Sequence, residues 1–322
     1  MIKFFKNIQE EISFFDKKFQ DALSTKASLL HKVSTYVTKN TGKKIRPICT
    51  IICAGLINNV TEKTYRGAIL VELLHTATLI HDDIVDDAHI RRSALSINTI
   101  WKNKISVLSG DYFLAKGLKL SVLHKDYDVL YVISSVVEKM VEGELIQIEK
   151  TKKLNLTEED YFKIIRLKTA SLFEASFKIG ALSAESDKEM VEKMGKIGLQ
   201  IGLLFQIKDD ILDYKNVVYN TGKKSGNDIK EGKINLPLLY ALKNMNEAEK
   251  NVVYKILRKK INTLKEIEIV EEMVMQHNGI ENAELLLKKY YNQLLQKLEF
   301  FQNNKYKETL LSLLEFLINR NR

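Results

Sequence analysis

Residues 64–87 read TYRGAILVELLHTATLIHDDIVDD, and this stretch decides the fold class. Apolar residues fall on most faces at helical spacing, and after Gly67 no glycine or proline breaks the run. Such a segment reads as a central helix buried on nearly every side. It ends in four acids, Asp82, Asp83, Asp86 and Asp87, which a helix built for stability alone would not collect at its C-terminal end.

Working outward, the same periodicity recurs in residues 128–149, which carry the helix-weakening Gly143, and again in 157–184 and 190–214. Thr157-Glu158-Glu159-Asp160 resembles a capping box with acids in the first turn. Pro47 and Pro237 each stand between a polar loop and an apolar run, where proline suits a first helical turn. The 322 residues hold only 2 prolines and 14 glycines, too few for the turns of a many-stranded protein. The one clear long loop is Asn216 to Asn235. Nothing between the helices has the composition of a linker, so residues 1–322 are expected to form a single all-α domain, a bundle of roughly ten or more helices.

Apolar residues make up 45% of the chain and charged residues 28%, which suits a folded domain with a sizeable core. Lys and Arg exceed Asp and Glu by 50 to 41, a formal charge of +9. The lysines are dispersed along the whole chain, which describes a solvated surface and not a nucleic-acid face. Cys49 and Cys53 lie in an apolar run without further metal ligands and read as core thiols. A reducing cytoplasm is expected, since there is no disulfide framework, no signal-peptide core and no uninterrupted apolar stretch of bilayer length.

Two acidic clusters carry the chemistry: Asp82-Asp83-Ile84-Val85-Asp86 and Asp209-Asp210-Ile211-Leu212-Asp213. Both have the spacing D-D-x-x-D, and both are read as closing long apolar helices. The spacing sets the first and last acid of each about 40° apart on one helical face. Hard divalent cations relieve that repulsion, and carboxylates suit magnesium, which keeps waters and shares its shell with substrate phosphates. An EF-hand needs glycine and alternating ligands in a loop, and a paired-carboxylate glycosidase needs no matched triplets. Around the acids lie Lys43, Lys44, Arg46, Arg91, Arg92, Lys168, Lys223 and Lys233. Arginine forks and lysine point charges grip phosphates. Acids for metal, with separate cation groups, imply two polyphosphate ligands.

These segments resemble the trans-isoprenyl diphosphate synthases, the polyprenyl synthetase family. Gly42-Lys43-Lys44-Ile45-Arg46-Pro47 is similar to its GKRxRP segment. Asp82–Asp86 with Arg91-Arg92 resembles the first aspartate-rich motif, and Lys168-Thr169 the K-T dipeptide. Phe205-Gln206 with Asp209–Asp213 resembles the second aspartate-rich motif, and Gly222-Lys223, Asp228, Lys233 and Pro237 the trailing loop. Two positions depart: Thr41 stands where a glycine is common, and Asn235 where the family often has threonine.

The resemblance implies an isoprenoid-synthase bundle around a central elongated cavity, in a cytoplasmic homodimer. Contact with a membrane would be peripheral at most, for product release. It implies that Asp82, Asp86 and Asp209 hold Mg2+ on an allylic diphosphate, supported by Asp83, Asp210 and Asp213. Arg91, Lys168, Lys223 and Lys233 would hold that diphosphate, while Lys43, Arg46, His75 and Arg92 would bind isopentenyl diphosphate. Lys168, Thr169 and Gln206 would lie beside the reacting carbons. His75 has a second reading as a hydrogen-bonded core histidine. In the family, bulky aromatics four or five positions before the first motif stop the product short. Here Ala77 and Thr78 stand there, with Leu74 one turn deeper, and a long product of roughly six to ten isoprene units is expected. A farnesyl- or geranylgeranyl-length synthase, a class I terpene cyclase and a non-catalytic subunit of the same fold are the alternatives.

Overall fold

A computed structural model describes residues 3–40, 42–91, 94–218, 226–259 and 263–320. Apart from a hairpin of two-residue strands, its elements are helices, in agreement with the all-α reading. The chain packs as two compact units.

The first unit holds residues 1–135, 172–198 and 301–313. It contains α1 (Gln9–Leu23), α2 (Ser28–Lys39), α3 (Ile45–Ile57) and α4 (Glu62–Val85). The hairpin β1 (Ile90–Arg91) and β2 (Ala94–Leu95) and the helix α5 (Ile97–Leu123) follow. Helix α4 is the segment on which the fold class was decided. It starts two residues earlier than its periodicity suggests, because Thr61 and Thr64 form a reciprocal capping box that satisfies two of the orphan N–H groups. Leu70, Val71, Leu73, Leu74 and Ala77 are all buried, as expected of a helix that is apolar all round. Phe15, Phe19, Val33, Ile51 and Phe113 complete the cluster around it. Helix α5 kinks at Lys102, whose φ is 69°. It then runs so close to α4 that a Cβ on Gly110 would enter the ring of His81.

The second unit holds residues 136–171, 199–300 and 314–322. It contains most of α6 (Tyr127–Lys153), then α7 (Glu158–Ile165) and a π-helical turn over Arg166–Ala170. After this turn the chain continues as α8 (Ser171–Ser183), which belongs to the first unit. Helix α9 (Lys188–Val218) contributes its residues from Leu199 onward. There follow α10 (Asn227–Lys230), α11 (Leu236–Asn244), α12 (Glu247–Leu257), α13 (Leu264–Gln276) and α14 (Gly279–Leu298), then the last part of α15 (Lys305–Asn319). Helix α11 packs against α13 and α14, burying Leu238 with Val270 and Leu294.

Two expectations change here. The second acidic cluster does not close its helix: α9 continues past Asp213 to Val218, so these acids lie a turn inside it. The expected single helix over 157–184 is interrupted by the π turn, which falls on the Lys168-Thr169 dipeptide. A π turn adds a residue to the helical ladder and re-aims the side chains it carries. The same turn explains Gly143. A Cβ there would stand 2.8 Å from Leu167 Cβ and 3.0 Å from the Lys168 backbone nitrogen, so α6 needs a glycine to pass the turn.

Candidate active site

In the first unit, α3 opens with Lys44 in the left-handed region at φ 50°. The Lys44 Nζ donates to Asp16 at 2.7 Å and lies over the Phe19 ring, so this lysine is committed to packing against α1. Its neighbour Lys43 is exposed. Arg46, one residue into the helix, stacks on Phe173 at 4.8 Å and contacts His75 Nε2 through Nη1 at 3.1 Å. A guanidinium only donates, so in this contact His75 accepts at Nε2. Two of the four residues that the resemblance assigns to isopentenyl diphosphate are therefore in direct contact.

His75 also lines a cleft with Tyr36, Glu72, Asp83 and Arg91. Asp83 is buried and takes two bonds on one oxygen, from Arg91 Nε at 2.7 Å and Nη2 at 2.5 Å. Asp82 is half-buried and Asp86 exposed. With 100° per residue, Thr78 lies about 40° from Asp82 around α4, and Ala77 about 140° away. Accordingly Thr78 is half-buried, its hydroxyl donating to the His75 carbonyl at 2.9 Å, while Ala77 and Leu74 lie in the dry core. Arg92 lies outside the described residues.

In the second unit, Thr169, Gln206 and Asp210 form one chain of hydrogen bonds. The Thr169 hydroxyl donates to Gln206 Oε1 at 2.8 Å, and Gln206 Nε2 donates to Asp210 Oδ1 at 2.8 Å. Asp210 Oδ2 accepts from the Tyr161 hydroxyl at 2.7 Å and from the Leu236 N–H at 3.2 Å. Lys168 pairs with Glu144 at 2.5 Å and donates to Gln147 at 2.9 Å. Lys233 pairs with Glu231 at 2.5 Å. Asp213 accepts from the Asn227 and Asp228 N–H groups at 3.3 and 3.2 Å. Asp209 accepts from Arg320 at 2.6 Å. A cleft beside this network is lined by Gln147, Tyr161, Gln206, Asp210, Asp228 and Lys233, among others. Lys223 lies outside the described residues.

The electrostatics of the second unit suit a divalent cation. Burial, and then the charge of Asp228, push Asp210 up to about 7 and Asp213 up to about 6. Burial also raises Asp228. Three carboxylates whose burial opposes their ionisation are stabilised when a metal shares their charge. Among the described residues no three His, Cys, Asp or Glu side chains gather into a ready-made cage.

A profile of the polyprenyl synthetase family matches residues 27–274. The chain belongs to that family. It is 30% identical to the all-trans-nonaprenyl-diphosphate synthase (geranyl-diphosphate specific) of Rhodobacter capsulatus over 314 residues, 97% of this chain and 96% of that one. It is 34% identical to the octaprenyl diphosphate synthase of Escherichia coli over 222 residues, 69% of each chain. The crystal structure of the Caulobacter crescentus polyprenyl synthase, complexed with calcium and isoprenyl diphosphate, superposes with a TM-score of 0.92 at 29% identity. That match covers 99% of this chain and 97% of the other. This polyprenyl synthetase is accordingly a prenyltransferase.

One departure from the family pattern gains a physical reason. The Asn235 Oδ1 caps α11 by accepting from Leu238 N–H and also accepts from the Tyr214 hydroxyl at 2.8 Å. Its amide donates to Asp228 at 2.7 Å. Threonine could cap, but asparagine offers an acceptor and two donors at once. Thr41, the other departure, lies outside the described residues. Sequence reading missed Tyr161, Glu144, Gln147 and Arg320. Tyr161 sits one residue past a visible capping box, Glu144 and Gln147 in a helix chosen only for its periodicity, and Arg320 in a region with no motif.

Proposed function

We propose that this polyprenyl synthetase condenses isopentenyl diphosphate with an allylic diphosphate, using Mg2+, to give a long all-trans polyprenyl diphosphate. The observation that carries this reading is the linkage of Thr169, Gln206 and Asp210 into one hydrogen-bonded chain. Thr169 belongs to one sequence motif and Gln206 with Asp210 to another, 37 positions along the chain, and the fold joins the two.

In this reading, Asp82, Asp83 and Asp86, with Asp209, Asp210 and Asp213, would hold the metal, which when bound would supply charge neutralisation for the departing diphosphate. Arg91, Lys168, Lys223 and Lys233 grip that diphosphate, and Arg91, Lys168 and Lys233 exchange their carboxylate partners for phosphate oxygens. Lys43, Arg46, His75 and Arg92 hold isopentenyl diphosphate, with the Arg46–His75 contact orienting the guanidinium. Ionisation of the allylic C–O bond, attack by the isopentenyl double bond and loss of a proton to the departing diphosphate complete the condensation. Lys168, Thr169 and Gln206 lie beside the reacting carbons, where the oxygens of Thr169 and Gln206 offer dipoles to the developing positive charge and all three keep water away. The growing chain runs past Thr78 along a central cavity beside α4, with Ala77 and Leu74 behind it.

Residues 1–322 act as one polyprenyl synthase domain, as a cytoplasmic homodimer. Exposed Val107 and Leu108 on α5, and Tyr131, Val141 and Leu145 on α6, support a self-complementary apolar face. Among the described residues no helix is long and apolar enough to cross a membrane; contact with lipid would be peripheral at most, for release of the product. Incubation with labelled isopentenyl diphosphate and geranyl or farnesyl diphosphate, followed by chromatography of the dephosphorylated products, tests the reading. All-trans alcohols of six to ten units are expected, within the roughly estimated range from the open α4 floor. Hydrocarbons, or products of three or four units, would overturn it.

A further inference from the structure

We propose that Arg320 is a positioning residue that holds the Asp209 carboxylate in the orientation needed to ligate metal, an inference that rests on the reading of Asp209 as a metal ligand. Arg320 follows α15 and continues its ladder, its N–H donating to the Phe316 carbonyl at 2.9 Å. The guanidinium lies 4.4 Å over the Phe205 ring. From there Nη2 donates to the Phe205 carbonyl at 3.1 Å and to Asp209 Oδ1 at 2.6 Å. Phe205 and Asp209 are one helical turn apart on α9, so the guanidinium spans that turn and is fixed from three directions.

The rest of the cluster shows what this accomplishes. Asp210 is oriented by Tyr161, Gln206 and the Leu236 N–H, and Asp213 by two backbone N–H groups. The Asp209 side chain is 40% exposed, whereas Asp210 is buried. An exposed carboxylate turns among rotamers unless a donor holds it. Arg320 is that donor, and its own side chain is only 8% exposed.

A guanidinium beside a metal ligand has two opposite uses. As a displaceable plug it would compete with the ion, and removing it would tighten metal binding. As an orienting group it would stay in place, and removing it would weaken binding. The structure favours the second use, because stacking and the carbonyl bond anchor the guanidinium independently of Asp209. Its Nε is buried and meets no partner among the described residues. The group therefore occupies this place although one of its donors goes unused.

The test titrates Mn2+ into the full-length protein in the presence of inorganic pyrophosphate, with free Mn2+ read by electron paramagnetic resonance. Arg320→Ala is expected to raise the Mn2+ dissociation constant by roughly tenfold, the usual worth of one charged hydrogen bond. Ethylguanidinium should restore binding, and ethylammonium at the same ionic strength should not. Arg320→Lys keeps the charge without the planar fork and should fall between the two, which keeps the inference testable if the alanine variant fails to fold. Unchanged or tighter Mn2+ binding in both variants would overturn it, as would a loss that ethylammonium repairs equally well. Asp209→Ala runs alongside. If that variant binds Mn2+ like the parent protein, the metal role of Asp209 is wrong. If it loses binding while the Arg320 variants do not, only the role of Arg320 is wrong.

Discussion

Gly143→Ala tests whether the π turn at Lys168-Thr169 matters to the reaction. In an ordinary helix this exchange stabilises by about 1 kcal/mol, because alanine is the better helix former. At Gly143 the new methyl would meet Leu167 Cβ at 2.8 Å and the Lys168 nitrogen at 3.0 Å. Neither atom is the free end of a flexible side chain. Ordinary contact begins near 3.4 Å, so the turn must retreat by about 0.6 Å. Overpacking of this kind costs about 1–3 kcal/mol, and the net change therefore runs from nearly neutral to about 2 kcal/mol destabilising. The retreat falls on the residues that carry Lys168 and Thr169. Since a misplacement of about 1 Å costs on the order of a hundredfold in rate, kcat should drop by roughly ten- to a hundredfold while the helical circular dichroism spectrum stays intact. Thermal unfolding and steady-state turnover of labelled isopentenyl diphosphate give both numbers. A variant that is more stable than the parent and turns over normally would refute the reasoning, because the turn would then be free to yield.

Asp82→Ala and Asp209→Ala should each lower turnover by several orders of magnitude with the fold preserved, since each loses a ligand for the charge-stabilising ion. Near-normal rates at low magnesium would remove those acids from the site. Ala77→Phe should chiefly lower stability, because Ala77 already packs beside Phe113 in the core, away from the Asp82 face. Thr78→Phe, on the Asp82 face, should shorten products with less structural penalty, and unchanged lengths would place the chain's path elsewhere. Burial pushes the Cys49 thiol up to about 12 and raises the Cys53 thiol well above its ordinary value, while the Cys53 Sγ donates to the Phe177 carbonyl. Neither should react with Ellman's reagent at pH 8 until the protein unfolds, and fast labelling of the native protein would contradict that packing.

Much of this protein was legible in its sequence because the informative features are local. The buried helix α4 follows from unbroken apolar periodicity, which needs no knowledge of its partners. The two acidic triplets stand out because like charges at that spacing repel unless a cation joins them. The scarcity of proline and glycine excludes a large sheet. Tertiary structure decided what depends on the approach of distant segments. No propensity announces a π turn at Lys168: it becomes intelligible only where the backbone of α6 passes it at Gly143. The Arg46–His75 contact unites residues on α3 and α4. Arg320 reaches Asp209 across 111 positions of sequence, and its neighbours on α15 look like any amphipathic helix. The half-exposed stripe of His75, Thr78 and Asp82, set against the dry face of Leu74 and Ala77, was decided by which side α5 covers. Sequence determines which groups a helix carries, because periodicity and charge act over one or two turns. Which distant donors orient those groups is decided by packing between helices, and that has no local signature.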